Sequence, residues 1–363
     1  MSGRLWLYVC RDGGDVRAAI DRCNPGGLLG LDEGALPLAD AYPDRYFVYR
    51  DMGLFPDGVI RPEWNADRCY FEGNKRGICL QERIRGHAVD AVMGVNEPHP
   101  GSETDAERVG AFEAGWASRV TVSYLQRPVD AVAMNYGQGW PERGVATATW
   151  RGFQNRFDGD LSRVILGYHG YRHYVDSFLA RQSIGDFERR PWAHGGWPDG
   201  LRALMTEAGL DTGAADYANG YRTAWTSAEY AAYLKGLPQL VPEAMGFCVY
   251  LCGTVDPDKW RSFDILGDAV VLDAIAETNG RRTPMPTKNL GTLTLSDAES
   301  APFDAWIAAA GGAAKVVLDS FRLWYAATQG DVKPTRADLI TALAKIGSGS
   351  NEAMLIANKL PLA

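Results

Sequence analysis

Eight short apolar runs, most of them followed by a stretch with helical spacing, limit the folds open to this chain more than any other feature. They cover residues 5–10, 28–32, 46–50, 88–96, 131–136, 164–169, 201–207 and 244–251. Continuous apolar runs joined by amphipathic helices are the pattern of parallel strands with crossover connections. Residues 15–23 read as a short helix, and 102–126 as a longer one with Val109, Phe112, Trp116 and Val120 on one stripe. Ser102 with Asp105, and Thr226 with Glu229 ahead of Tyr230, Tyr233 and Leu234, have the form of capping boxes at helix starts. Eight such units in about 275 residues predict an α/β fold of the closed (β/α)8 TIM-barrel type, whose usual size is ~250 residues. An open doubly wound sheet would use fewer strands, and no GxGxxG follows the first run.

The barrel is expected over residues 1–280, closed by a helix at 272–278. Residues 281–295, in the Pro- and Gly-rich stretch "NGRRTPMPTKNLGT" and just beyond it, read as a linker. Residues 296–363 read as a small all-helical C-terminal module, with helices at 303–310, 313–328, 336–346 and 352–360 broken by Gly311-Gly312, Pro334 and "GSGS". That module is a candidate for docking on a protein or a cell wall.

The barrel architecture says where to look for chemistry, because such barrels carry their functional groups at the C-terminal ends of the strands. Arg50 ends the third run, Asn96 and Glu97 the fourth ("DAVMGVNEPHP"), Asn135 and Tyr136 the fifth, His169 the sixth and Glu207 the seventh ("LRALMTEAGLD"). Pro98 removes a donor and halts the fourth run, while Ala208-Gly209 is expected to turn the chain away after Glu207. Two carboxyls on opposite sides of a barrel mouth are what glycoside hydrolysis needs, one protonated to assist the leaving group and one ionised to attack or to activate water. Arg50 is the natural partner for an ionised Glu207, by the same contact that would serve a structural ion pair. His169, in "GYHGYRHY" with Tyr171 beside it, suits orientation of a carboxylate or a sugar hydroxyl, or a packing role. Loop residues His99, Trp140, Trp192, His194 and Trp197 are candidates for the rim of a cleft. Residues 53–86 combine a loop with a helix and are expected to shape one wall.

"GVNEP" on strand four, "TEAG" on strand seven and "KWRSFDI" after strand eight resemble the clan A superfamily of TIM-barrel retaining glycoside hydrolases. The order "NEP … HGY … TEAGLD … W-SFD" is also similar, more loosely, to glycosidase-like barrels of phage and prophage genes. The clan A resemblance implies Glu97 as acid/base, Glu207 as nucleophile and Asn96 as the partner of the hydroxyl next to the reacting carbon. It implies split protonation, with Glu207 ionised and its charge keeping Glu97 protonated. Arg50, Asn135, His169, Tyr171 and Trp260 complete the expected substrate-binding set. The clan A pattern has a Trp at the tip of strand eight, where this chain reads "FCVYLCGT", so Trp260, just beyond, is the candidate sugar platform.

Composition excludes other classes. With a net charge of −8 and scattered acidic residues, the chain presents no basic footprint for nucleic acid or an anionic membrane. No stretch approaches the roughly 20 apolar residues of a membrane span. The five His are dispersed without ligand spacing, so neither a metal nor another cofactor is expected. The six Cys include no CxxC pair and read as reduced, mostly buried thiols, with Cys248 and Cys252 on one face of a strand. The start "MSGRLWLYVCRDGG" lacks the pattern of a secretory signal, so synthesis in a cytoplasm is expected, with virion association or release by lysis as routes outward. The expected partner is a carbohydrate. Two alternatives to a general polysaccharide or glycan hydrolase are a phage-type cell-wall-lytic glycosidase and a non-catalytic structural or binding protein on the same barrel.

Overall fold

The computed structural model describes residues 4–56, 58–122, 127–137, 143–173, 201–212, 220–242 and 244–280. Eight parallel strands follow one another around a closed barrel: β1 (Leu5–Val9), β2 (Gly27–Leu31), β3 (Tyr46–Arg50), β4 (Ala91–Met93), β5 (Asp130–Tyr136), β6 (Val164–His173), β7 (Arg202–Asp211) and β8 (Ala244–Cys252), with β8 pairing back onto β1. The helices are α1 (Gly14–Cys23), α2 (Leu36–Ala41), α3 (Ala66–Arg83), α4 (Glu103–Thr121), α5 (Arg143–Gln154), α6 (Tyr221–Ala224), α7 (Ser227–Leu240), α8 (Pro257–Trp260) and α9 (Ala269–Thr278). The fold is the predicted (β/α)8 barrel. The linker and helical module expected over 281–363 lie outside the described residues, as do Trp140, Trp192, His194 and Trp197. No helix among the described residues is long and apolar enough to cross a membrane.

Local signals start the helices where the sequence places them. Ser102 accepts the Asp105 amide at the start of α4, and Thr226 with Glu229 forms a complete capping box at α7. Asn65 and Asp268 cap α3 and α9 in the same way.

The buried apolar residues form two clusters separated by strand alternation. Trp6, Tyr8, Leu29, Val48, Ala91, Met93, Val132, Ile165, Leu204 and Cys248 fill the barrel interior, while Leu5, Leu7, Phe47, Tyr49, Val92, Ala131, Ala133, Ala203 and Phe247 face the helices. The stripe expected on α4 is only part of its contact surface, because the helix is buried around most of its circumference. Glycines permit this: a Cβ on Gly110 would strike the backbone of Thr149 in α5, and one on Gly115 that of Tyr70 in α3.

Three boundaries differ from expectation. β4 ends at Met93 instead of residue 96, because the Val95 amide leaves the sheet to bond the Glu113 carboxylate of α4. β6 and β7 continue beyond residues 169 and 207 as a paired ribbon to His173 and Asp211, so Ala208-Gly209 does not turn the chain. The glycines there serve packing instead, Gly170 against Met205 and Gly209 against the Tyr171 ring. Cys248 and Cys252 face opposite sides, Cys248 inward and Cys252 toward the helices, where the register of β8 on β1 shifts. All six cysteines are unpaired, and five are buried.

The glycine contacts generate a paired test. Gly110→Ala should lower stability by ~1–3 kcal/mol through overpacking. Gly236→Ala, inside α7 where nothing lies within 4 Å of the added methyl, should be neutral or gain up to ~1 kcal/mol from helix propensity. Urea unfolding midpoints compare the two variants with the parent.

Candidate active site

The tips of β3, β4, β6 and β7 bring Arg50, Glu97, His169, Tyr171 and Glu207 together at one end of the barrel. Glu207 is buried, and both its oxygens are occupied: Arg50 Nη1 donates to Oε1 at 2.9 Å, and the Tyr171 hydroxyl donates to Oε2 at 2.7 Å. This is the bonding pattern of an acceptor-only, ionised carboxylate. Arg50 Nη1 also donates to the Tyr8 hydroxyl at 2.7 Å, which anchors the guanidinium from the β1 side. Burial, reinforced by the Glu207 charge, pushes the Tyr171 hydroxyl well above its ordinary range, so it stays a neutral donor.

His169 stands between the carboxylates. Its Nδ1 lies 2.8 Å from Glu97 Oε1 and 3.5 Å from Glu207 Oε2. The sum of these distances, about 6.3 Å, is therefore the upper limit on the separation of those two oxygens. His169 pairs with Glu207 and Tyr171 with Gly209 in the β6–β7 ladder, and the two-residue period places both side chains over the mouth.

Asn135 sets the state of the imidazole. Its amide Nδ2 donates to Asn96 Oδ1 at 2.9 Å and to His169 Nε2 at 2.9 Å, and its Oδ1 accepts from the Thr206 hydroxyl. An amide NH2 only donates, so His169 Nε2 accepts, and the ring proton sits on Nδ1, facing Glu97. Asn135 is fully buried with every polar atom engaged, so it acts beneath the site and not on a substrate.

Protonation of Glu97 departs from expectation. The His169 hydrogen bond holds its carboxyl below the ordinary value; burial opposes this, and the Arg50 charge adds to the lowering. The carboxyl expected to be kept protonated by Glu207 is instead shifted toward its ionised form, with the His169 hydrogen bond as the largest cause.

Strand eight supplies a second aromatic beside the expected one. Trp260 lies in α8, its ring edge-on to Tyr250 at 5.9 Å. Tyr250, half-buried at the strand tip, meets Tyr8 at 4.9 Å and Tyr171 at 5.9 Å, and it feels the Glu207 charge. Sequence reading missed both Tyr8 and Tyr250; their signal is the inward parity of β1 and β8 at the strand tips. The "KWRSFDI" segment serves structure, since Asp264 accepts the amides of Gly253, Thr254 and Leu266 and shapes the loop after β8. A cavity of about 540 Å3 opens beside Glu97, walled by Val59, Ile60, Asn96, His99 and Arg108. No cluster of His, Cys, Asp or Glu among the described residues has the makings of a metal site.

No protein-family model matches the chain, and no curated protein matches it by sequence. Solved structures match by fold. A broad-specificity GH5-4 endoglucanase from an uncultured bacterium superposes with a TM-score of 0.52 and 9% identity, over 73% of this chain and 83% of that one. A GH5-4 broad-specificity endoglucanase from Clostridium longisporum gives 0.49 and 11% over 74% and 86%, and a β-mannanase from Thermomonospora fusca gives 0.43 and 10% over 77% and 92%. The first of these establishes a shared barrel fold with a glycoside hydrolase, and at 9% identity the likeness is one of fold. The looser resemblance to phage barrels finds no support in these comparisons.

The ion pair yields a stability test. Arg50→Met leaves Glu207 buried beside no cation and should cost ~3–5 kcal/mol. Adding Glu207→Gln should recover part of that loss, so a double-mutant cycle by urea unfolding should show clear coupling.

Proposed function

We propose that this chain is a retaining glycoside hydrolase acting on a polysaccharide or glycan, with Glu207 as nucleophile and Glu97 as acid/base. The observation that carries the reading is the single imidazole touching both carboxylates. The limit of about 6.3 Å that it sets on one pair of their oxygens accommodates the ~5–5.5 Å between the carboxyl groups of retaining enzymes.

In the first step a Glu207 oxygen bonds the anomeric carbon as the bond to the leaving oxygen breaks, and the Glu97 proton passes to that oxygen. In the second, ionised Glu97 takes a proton from water, the water oxygen bonds the anomeric carbon, and Glu207 leaves as carboxylate. The resting state, with Glu97 accepting from His169, is the form the second step requires. For the first, Glu97 must take up a proton. Its side chain is 42% exposed, so a sugar laid over it displaces water and penalises the charge. The cavity beside Glu97 accommodates the departing group, and Tyr250 offers a ring to the sugar that stays. Asn135 occupies Asn96 Oδ1, which leaves the Asn96 NH2 as the end that meets a sugar hydroxyl.

Trapping with a panel of activated 2-fluoro glycosides tests the reading by intact mass. A stable adduct on the parent, absent in Glu207→Gln, is expected, and it identifies the sugar. No adduct across the panel favours a non-catalytic carbohydrate-binding barrel. A second test uses pH. Because His169 lowers Glu97, the alkaline limb of kcat/KM should lie at low pH, and His169→Phe should move it upward as the donor is lost.

A further inference from the structure

Strict alternation would not build this site. In β4, Ala91 and Met93 face the interior, so Val95 should as well, yet Val95 lies in the helix-side core. In β5, Val132 faces inward, so Met134 should follow, yet Met134 also packs against the helices, at φ 57°. Each tip therefore reverses its sense by one residue, as a bulge does. These reversals turn Asn135 inward and give Asn96 the bridge to it. They also divert two backbone amides from the sheet, and a buried amide needs an acceptor.

Both amides go to one side chain. Val95 N–H donates to Glu113 Oε1 at 3.1 Å and Met134 N–H to Oε2 at 2.9 Å. Glu113 projects from α4, is fully buried, and makes no ion pair among the described residues. The Trp116 ring, one turn on, lies where a Cβ on Gly94 would be, closing the space behind the β4 tip. Burial pushes the Glu113 carboxyl up to about 7, with the two amides and Trp116 opposing. The titratable group facing it from β5 is Tyr136, whose hydroxyl is bonded to Thr149. An uncompensated carboxyl is costly to keep in such a place, and hydrophobic packing alone would not select it.

We propose that Glu113 is the positioning residue of this site. It holds the reversed tips of β4 and β5 so that Asn96, Glu97 and Asn135 face the mouth, and through Asn135 it fixes the His169 tautomer that donates to Glu97. The geometric part of this inference stands on the contacts alone; the catalytic part rests on the glycosidase reading.

The test uses the full chain carrying Glu113→Gln. The glutamine carbonyl accepts one amide, while its NH2 accepts none, so one strand tip is released. The first readout needs no substrate. Long-range 1H–15N spectra at pH 8.5, with the His169 signal identified by its loss in His169→Phe, should show the parent imidazole as a single Nδ1–H tautomer. In Glu113→Gln it should become a mixture of tautomers. If that variant does not fold, Glu113→Asp, one methylene too short to reach both amides, should show the same change. A folded variant with an unaltered His169 tautomer overturns the inference. The second readout uses the 2,4-dinitrophenyl glycoside of the sugar found by trapping. There kcat should fall ~10–100-fold, as expected for misplaced reacting groups, with KM changed less than about threefold. A rise in KM at unchanged kcat overturns the positioning role. A tautomer change without any glycoside adduct would retain the positioning and reject the reaction, so the two failures are distinguishable.

Discussion

Alternation along a β-strand allows only every second residue to face the barrel interior, and the mouth of this barrel holds more polar groups than that rule supplies. The structure meets the constraint by breaking it at three tips. In β4 and β5 the sense reverses before Asn96 and before Asn135, and in β7 an extra residue lets Thr206 and Glu207 both reach the site. Left-handed backbone at Met134 and Glu97 accompanies two of these breaks, at ~1–2 kcal/mol each for residues with a Cβ. Such conformations persist only where surrounding contacts impose them. Here the contacts are the Glu113 bonds to Val95 and Met134 and the Glu97 amide bond to the Asn135 carbonyl.

The polar groups so placed form one connected network, from Tyr8 through Arg50 to Glu207, across His169 to Glu97, and down through Asn135 to Thr206. Burial makes such a network costly unless each member is satisfied, and most of its donors and acceptors have partners. The apolar shell beneath supplies the stability that the mouth does not. Residues such as Trp6, Met93, Val132 and Leu204 pack the interior, and α4 is drawn against α3 and α5 by glycine contacts, which brings Glu113 within reach of both strand tips.

Much of this was legible in one dimension. Apolar runs with helical spacing between them give eight parallel strands, and the polar residue ending each run marks the functional face. Arg50, Glu97, His169 and Glu207 could be picked out in that way because strand ends are local features. Three things were not legible. Glu113 sits in a helix among Ala, Phe and Gly, where a lone acidic residue reads as solvent-facing, since nothing local says that two amides wait above it. The β6–β7 ribbon runs past Gly170 and Gly209 because glycine marks close packing as readily as a turn, and only the neighbouring Met205 and Tyr171 decide which. Glu97 was expected to be protonated on account of Glu207, whereas the hydrogen bond from His169, on another strand, lowers its carboxyl.

The sequence by itself determined the strand count, the closed barrel and the end of it that carries the polar residues, because hydrophobic periodicity and strand termini are set within a few residues of chain. Tertiary structure alone decided which of those residues face the mouth, which aromatic ring lines it and where the imidazole proton resides. Those outcomes depend on hydrogen bonds between residues far apart in the chain, such as Glu113 with Met134 and Asn135 with His169, and a two-residue period carries no record of the single extra residue that reverses it.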